Sequence, residues 1–292
     1  MTLPTFLVIG AAKAGTTALY WYLSEHPDVF MSPVKETNFF AYGVDEAGRL
    51  LYGDAEHHRF PIRTRAEYER LFQGAGGAAA VGEASPIYLE CPQAAARIRE
   101  LLPEARLLCI LRHPVDRAYS DYQMFLRARD RRLDPAADLT PAAPWARHDS
   151  HWMRIGRYHA QLARYYDRFP RDQIQVLLFD DLRRDAQAAV QDVYRFVGVD
   201  AGFRPDFDTP HNVGGMPSSV FLERVLRNGA IRAAVSPLVP QRAVNWARRL
   251  RTRNMQQAPA LPAELRRELT AGCRDDILRT GELIGRRLDH WL

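Results

Sequence analysis

Short apolar runs alternate with longer amphipathic stretches along roughly the first 200 residues. Residues 5–9 (TFLVI) predict a buried strand and 16–25 the helix that follows it. A short strand over Val29 to Met31 leads into "SPVKETNFFA", and residues 64–73 carry helical period. The flexible "GAGGAAA" precedes a strand at 80–83, and Pro92 opens a helix that runs to Leu102. "ARLLCILR" (105–112) is continuously apolar up to its final arginine, as interior strands of parallel sheets are. Pro114 starts the next helix, where its missing N–H costs nothing. Residues 129–150, with Pro135, Pro141 and Pro144 and no apolar period, predict a long surface loop. A helix at 152–168, a strand at 173–179 and a helix at 181–197 complete the alternation. The pattern predicts an α/β fold, a parallel sheet with helices on both faces. It is read as one domain over 1–292: an α/β core to residue 200, then a loop and a helical, Arg-rich extension over 201–292.

Composition narrows the function classes. A net charge of +5 favours anionic ligands but is too thin for a dedicated nucleic-acid binder. Cys91, Cys109 and Cys273 are odd in number and widely spaced, so neither a disulfide framework nor a zinc site follows. A reducing compartment suits them. No signal-type apolar segment or membrane span is legible, and a cytoplasmic protein is expected. Only two of the 40 basic side chains are lysines, Lys13 and Lys35, and both lie close to one glycine turn.

That turn is "GAAKAGTT" (10–17), between a strand and a helix. The main-chain N–H groups from Ala14 to Thr17 lie at a helix N-terminus, a site suited to anions. Thr16 and Thr17 add hydroxyl donors, and Lys13 adds a movable charge. A triphosphate loop places its Lys directly after the second glycine, whereas here Lys13 precedes Gly15. Arg112 ends a predicted central strand, where ligands of open α/β sheets bind, and Ser120 follows eight residues on. The pair can clamp a second phosphate; alternatively Arg112 pairs with Asp116 and Ser120 is a helix-face hydroxyl.

"KAGTT" and "RHPVDRAYSDY" together resemble the sulfotransferases that use 3′-phosphoadenosine 5′-phosphosulfate (PAPS). The pattern is most similar to heparan-sulfate-type carbohydrate sulfotransferases and their soluble bacterial relatives, across about residues 5 to 200. The resemblance implies a P-loop-like three-layer fold, with Lys13, Ala14, Gly15, Thr16 and Thr17 on the 5′-phosphosulfate and Arg112 and Ser120 on the 3′-phosphate. It implies Glu36, in "VKETNFFA", as the base that takes the acceptor proton, and Lys13 as the cation that neutralises the departing phosphate. "GEASPIYL" (82–89) matches a segment in which the family often has Lys after Glu; Ala84 stands there, leaving a charge role that Lys35 can fill. Lys35, Glu83 and Tyr88 are the candidate acceptor contacts, with Glu83 also suited to orienting main chain or Lys13. "HNVGGMPSS" (211–219) loosely matches a family loop that closes over the nucleotide, which puts Asn212, Gly214 and Gly215 on the donor.

The expected reaction is sulfuryl transfer from PAPS to a hydroxyl, or less readily an amine, of a small-molecule, natural-product or carbohydrate acceptor, without a metal. A P-loop kinase or NTPase lacks its Lys-Ser/Thr pair here. A non-enzymatic nucleotide sensor would keep the clamp without needing Glu36. His57–His58 and the pair His148 and His151 lack the company of a metal site. The Arg-rich 242–254 reads as a solvated helix face.

Overall fold

Phe6, Leu7, Val8 and Ile9 are completely buried, so this run makes the central strand β1 (Phe6–Gly10). The computed structural model describes residues 2–45, 47, 49–52, 59–208, 216–217, 255–256 and 259–292. With β2 (Val29–Met31), β3 (Ala80–Ala84), β4 (Arg106–Leu111) and β5 (Ile174–Leu178), β1 forms a five-stranded sheet ordered β2-β3-β1-β4-β5. Every pairing in it is parallel. Strands and helices alternate: α1 (Thr16–Glu25), α2 (Arg65–Arg70), α3 (Ile87–Glu90), α4 (Ala94–Leu101) and α5 (Pro114–Ala128) come first. Then follow α6 (Pro135–Asp138), α7 (His151–Ile155), α8 (Tyr158–Tyr166), α9 (Phe179–Arg184) and α10 (Ala186–Val197). A two-residue ladder pairs β6 (Met216–Pro217) with β7 (Met255–Gln256), and α11 (Ala263–Ala271) and α12 (Arg274–Ile284) complete the described elements. The sheet is parallel and flanked by helices, the expected α/β architecture.

The chain divides into two compact units. The first comprises Met1–Arg117, Arg157–His211 and Cys273–Leu292 and holds the whole parallel sheet. Within it, half-buried Asp276 of α12 accepts from the main-chain N–H of Tyr158 (2.8 Å) and of His159 (3.3 Å). Two helix-terminal donors of α8 are thereby satisfied by a distant carboxylate. Burial raises the Asp276 pKa, and the two N–H donors oppose that shift. At the C-terminal end of β4, His113 Nε2 lies 2.8 Å from the carbonyl of Trp291, and Trp291 Nε1 donates to Asp180 Oδ2 at 2.7 Å. The chain's last turn is thus tied beside Arg112.

The second unit comprises Ala118–Gly156 and Asn212–Gly272. Residues 129–150 are mostly exposed and, apart from α6, free of helix or strand, as the expected surface loop is. Trp145 is fully buried there, donates from Nε1 to the carbonyl of Asp138 at 2.7 Å, and packs on Tyr119 and Tyr122. Tyr122 donates to Asp138 at 2.6 Å. One large aromatic with the right polar partners can pin a segment that has no apolar period, because such a side chain buries about 150–250 Å².

Two predicted helices are each broken in two. The 152–168 segment stops at Gly156 and restarts at Tyr158, and Arg157 leaves the helical region (φ −85, ψ 84). The 181–197 segment is interrupted at Asp185, whose φ of −151 is extended and whose side chain caps Ala188 N–H at 2.9 Å. The helix expected from Pro92 begins at Ala94, after the separate turn α3. Of the segment from about 220, residues 263–271 and 274–284 are helical, as expected. The 242–254 stretch lies outside the described residues.

Candidate active site

The glycine turn follows the C-terminal end of β1. Gly15 is the N-cap of α1 with φ 104, a left-handed value that a side chain would strain, and an added Cβ would lie 3.1 Å from the ring of Phe179. No side chain caps α1 and its first turn holds no acidic residue. The positive end of this helix dipole therefore meets no acidic side chain from its own first turn, which suits a phosphate. Thr16 is 4% exposed and Ala14 fully buried. Thr17 and Lys13 are half-buried. Lys13 has φ 66. A left-handed non-glycine residue costs on the order of 1–3 kcal/mol and persists where its surroundings over-determine it.

Those surroundings include Arg112. Its Nη1 donates to the carbonyl of Lys13 at 3.1 Å, and its guanidinium carbon lies 4.9 Å from the ring centroid of Phe179. The carbonyl of Arg112 accepts from the hydroxyl of Tyr158 at 2.8 Å. Desolvation lowers the Arg112 pKa, and the carboxylate of Asp116 works against that shift. The expected strand-end arginine is therefore anchored to the turn of Lys13. Ser120 is half-buried in the second turn of α5 and belongs to the second unit.

Glu36 lies in the loop after β2. Its main-chain N–H donates to the carbonyl of Ala84 at 2.9 Å, so the loop is held at the end of β3. Its φ of 63 and the φ of 54 at Asn38 bracket Thr37, which is completely buried. This alternation turns the Glu36 side chain outward, 53% exposed, while Thr37 points inward. Lys35 Nζ pairs with Glu36 Oε1 at 2.5 Å. The second of the two lysines thus stands on the candidate base itself.

Glu83, also 0% exposed, receives four hydroxyls. Thr37 Oγ1 and Ser85 Oγ donate to Oε2 at 2.8 Å each, while Tyr88 and Tyr68 donate to Oε1 at 2.8 and 3.0 Å. Burial raises the Glu83 pKa, and the hydroxyl donors pull it back. Both tyrosines are pushed well above their ordinary value, chiefly by burial. Glu83 and Tyr88, expected as acceptor contacts, are placed in the interior under the Glu36 loop. Asn212, Gly214 and Gly215 lie outside the described residues, as do His57 and His58. Among the described residues no group of three His, Cys, Asp or Glu could hold a metal ion, and no helix is long and apolar enough to cross a membrane.

Three contributors escape a reading of the sequence. Phe179 follows the strand "IQVLL", a strand-end position that carried a usable signal. Thr37 stood inside "VKETNFFA", but its inward direction depends on two left-handed neighbours. Tyr68 lies on α2, far from every motif, and nothing local marks it.

Comparison with known proteins bears on the fold and the family. The profile of the sulfotransferase family matches residues 4–203. Human bifunctional heparan sulfate N-deacetylase/N-sulfotransferase 2 is 30% identical over 210 residues, which is 68% of this chain and 22% of that protein. Its human paralogue 3 is 32% identical over 213 residues, with the same two shares. The chain thus spans under a quarter of the length of these curated relatives. A sulfotransferase from Alicyclobacillus acidocaldarius superposes with a TM-score of 0.72 at 32% identity, covering 100% of this chain and 99% of that one.

Proposed function

The chain belongs to the sulfotransferase family, and from that premise we propose that it moves a sulfuryl group from PAPS to a hydroxyl of a carbohydrate or small-molecule acceptor. One observation carries the reading. The glycine turn, Arg112 and the Glu36 loop all sit past the C-terminal ends of neighbouring parallel strands, β1, β4 and β3. Ligands of open α/β sheets bind along that edge.

In this reading the N-terminal amides of α1, with Thr16 and Thr17, hold the 5′-phosphate. Arg112 and Ser120 hold the 3′-phosphate, and Asn212, Gly214 and Gly215 close over the nucleotide. The acceptor oxygen forms its bond to sulfur as the bond from sulfur to the phosphate oxygen breaks. Glu36 receives the acceptor proton, and Lys13 neutralises the bisphosphate oxygen that takes the electron pair. Catalysis is then mostly positioning and charge stabilisation, as in phosphoryl transfer. Lys35 keeps Glu36 oriented and supplies positive charge on the acceptor side, where Ala84 carries none. No residue of this scheme calls for a metal ion. Three free, buried thiols support a reducing, cytoplasmic setting. An amine acceptor is a second reading, favoured by the likeness to proteins described as N-sulfotransferases.

Donor labelled with radioactive sulfur, offered with heparan sulfate, its de-N-sulfated form, simple glycosides and phenols, tests the reading. Labelled product with any hydroxyl acceptor supports it. Label passing only to the de-N-sulfated amine selects the second reading, and no transfer to any member, with no binding of adenosine 3′,5′-bisphosphate, ends both.

A further inference from the structure

The transfer step makes no direct use of Glu83, although this carboxylate is fully buried and collects four hydroxyl donors. A hydroxyl owns one proton and two lone pairs, so giving the proton to Glu83 leaves lone pairs to accept elsewhere. Three of the four do so in sequence order. Ser85 Oγ accepts from the N–H of Asn38 at 3.1 Å, Thr37 Oγ1 from the N–H of Phe39 at 3.4 Å, and the Tyr88 hydroxyl from the N–H of Phe40 at 3.5 Å. Tyr68 instead stacks on Phe39, with ring centroids 4.4 Å apart, while donating to the same carboxylate.

We propose that Glu83 is a positioning residue for the transfer. It sets the direction of three hydroxyls, whose lone pairs hold the main chain of residues 38–40 and so fix the left-handed turn that aims Glu36 outward. Main-chain N–H groups inside a protein need partners, and these three meet hydroxyls whose protons are directed at Glu83. A carboxamide at position 83 offers donors where two hydroxyls need an acceptor. Those hydroxyls must turn their protons away from position 83, which re-aims the lone pairs that the main-chain N–H groups meet. The inference rests on Glu36 as the base, yet the anchoring of residues 38–40 is measurable without any acceptor.

The test compares Ser85→Ala, Tyr88→Phe and Glu83→Gln with Tyr68→Phe, which removes a donor to Glu83 but no acceptor of main-chain N–H. The readouts are hydrogen exchange of the amides of residues 38–40, calorimetric binding of adenosine 3′,5′-bisphosphate, and single-turnover transfer of labelled sulfur to heparan sulfate. Ser85→Ala and Tyr88→Phe are expected to speed exchange at their own partner amides at least tenfold over Tyr68→Phe. Transfer should slow by at least tenfold more than in Tyr68→Phe, with bisphosphate affinity within threefold of wild type. Should Glu83→Gln fail to fold, the two hydroxyl variants carry the test. Equal exchange and equal transfer across Tyr68→Phe, Ser85→Ala and Tyr88→Phe overturn the inference, since Glu83 would then be only a buried structural carboxylate. If Glu36→Gln transfers sulfur as fast as wild type, the reading of Glu36 fails instead, and the exchange data alone decide whether Glu83 anchors the loop.

Discussion

Arg112 donates to the main-chain carbonyl of Lys13 at 3.1 Å across 99 residues of sequence. The arginine proposed for the 3′-phosphate is therefore part of the turn proposed for the 5′-phosphosulfate, before any ligand arrives. A guanidinium has donors enough to keep that carbonyl and still meet a phosphate, whereas an ammonium lacks the planar fork. Arg112→Lys should weaken adenosine 3′,5′-bisphosphate binding at least roughly tenfold, in line with about 1.5–3 kcal/mol for one charged hydrogen bond. Its effect on ATP, which has no 3′-phosphate, should be under about threefold by the same reasoning. Calorimetry with both nucleotides, without Mg²⁺, decides; equal losses for the two remove the 3′-phosphate role.

Phe179 lies against both Gly15 of the turn and Arg112, filling the space where a Cβ at Gly15 would sit and lying under the Arg112 guanidinium. Phe179→Leu keeps an apolar side chain but loses the ring face. It should reduce the preference for the bisphosphate over adenosine 5′-monophosphate by about three- to tenfold, the size of a partly buried cation–π contact. A variant with lower thermal stability but an unchanged preference would show that the ring only packs.

Lys13→Arg keeps the charge and should lose most of the turnover. The wide guanidinium cannot follow a single bridging oxygen as charge builds on it, and Lys13 already sits in a left-handed turn with little freedom to adjust. Turnover above about a third of wild type, a barrier change of under about 0.7 kcal/mol, would mean that charge alone is enough.

Glu36→Gln should lower kcat by about 10²–10⁴-fold, the usual contribution of a general base, while leaving bisphosphate affinity within about threefold. Single-turnover kinetics are the measurement. If the chemical step survives in Glu36→Gln and is abolished in Glu83→Gln, the buried carboxylate is the base.

Glu83 also gives stability a signed dependence on pH. Its pKa is raised above the ordinary 4.5, chiefly by burial among Thr37, Ser85, Tyr68 and Tyr88. Between 4.5 and the raised value the folded chain binds more protons than the unfolded one, so stability falls as pH rises through that window. Glu83→Gln removes this titration. The Tm difference, variant minus wild type, should therefore become more positive from about pH 4 to about pH 7. A difference that stays flat, or that falls, contradicts the raised value.

Local rules were enough for the strands, the glycine turn and the strand-end arginine, because each is written in consecutive residues. A short, continuous apolar run bounded by turn residues fits an interior strand, and Gly15 supplies the left-handed cap that the turn requires. The same rules failed where long-range packing outvotes local pattern. Asp185 caps a helix where periodicity runs straight on, and the burial of Trp145 within an otherwise exposed loop has no local signal. The candidate site divides along the same line. Lys13, Arg112 and Glu36 were legible as motifs, but neither the carbonyl that Arg112 holds nor the hydroxyl relay under Glu36 was. Hydrogen bonds are directional and short, and Tyr68, Glu83 and Thr37 meet only after the strands have paired. The sequence determined which groups the chemistry has; tertiary structure decided which way they point.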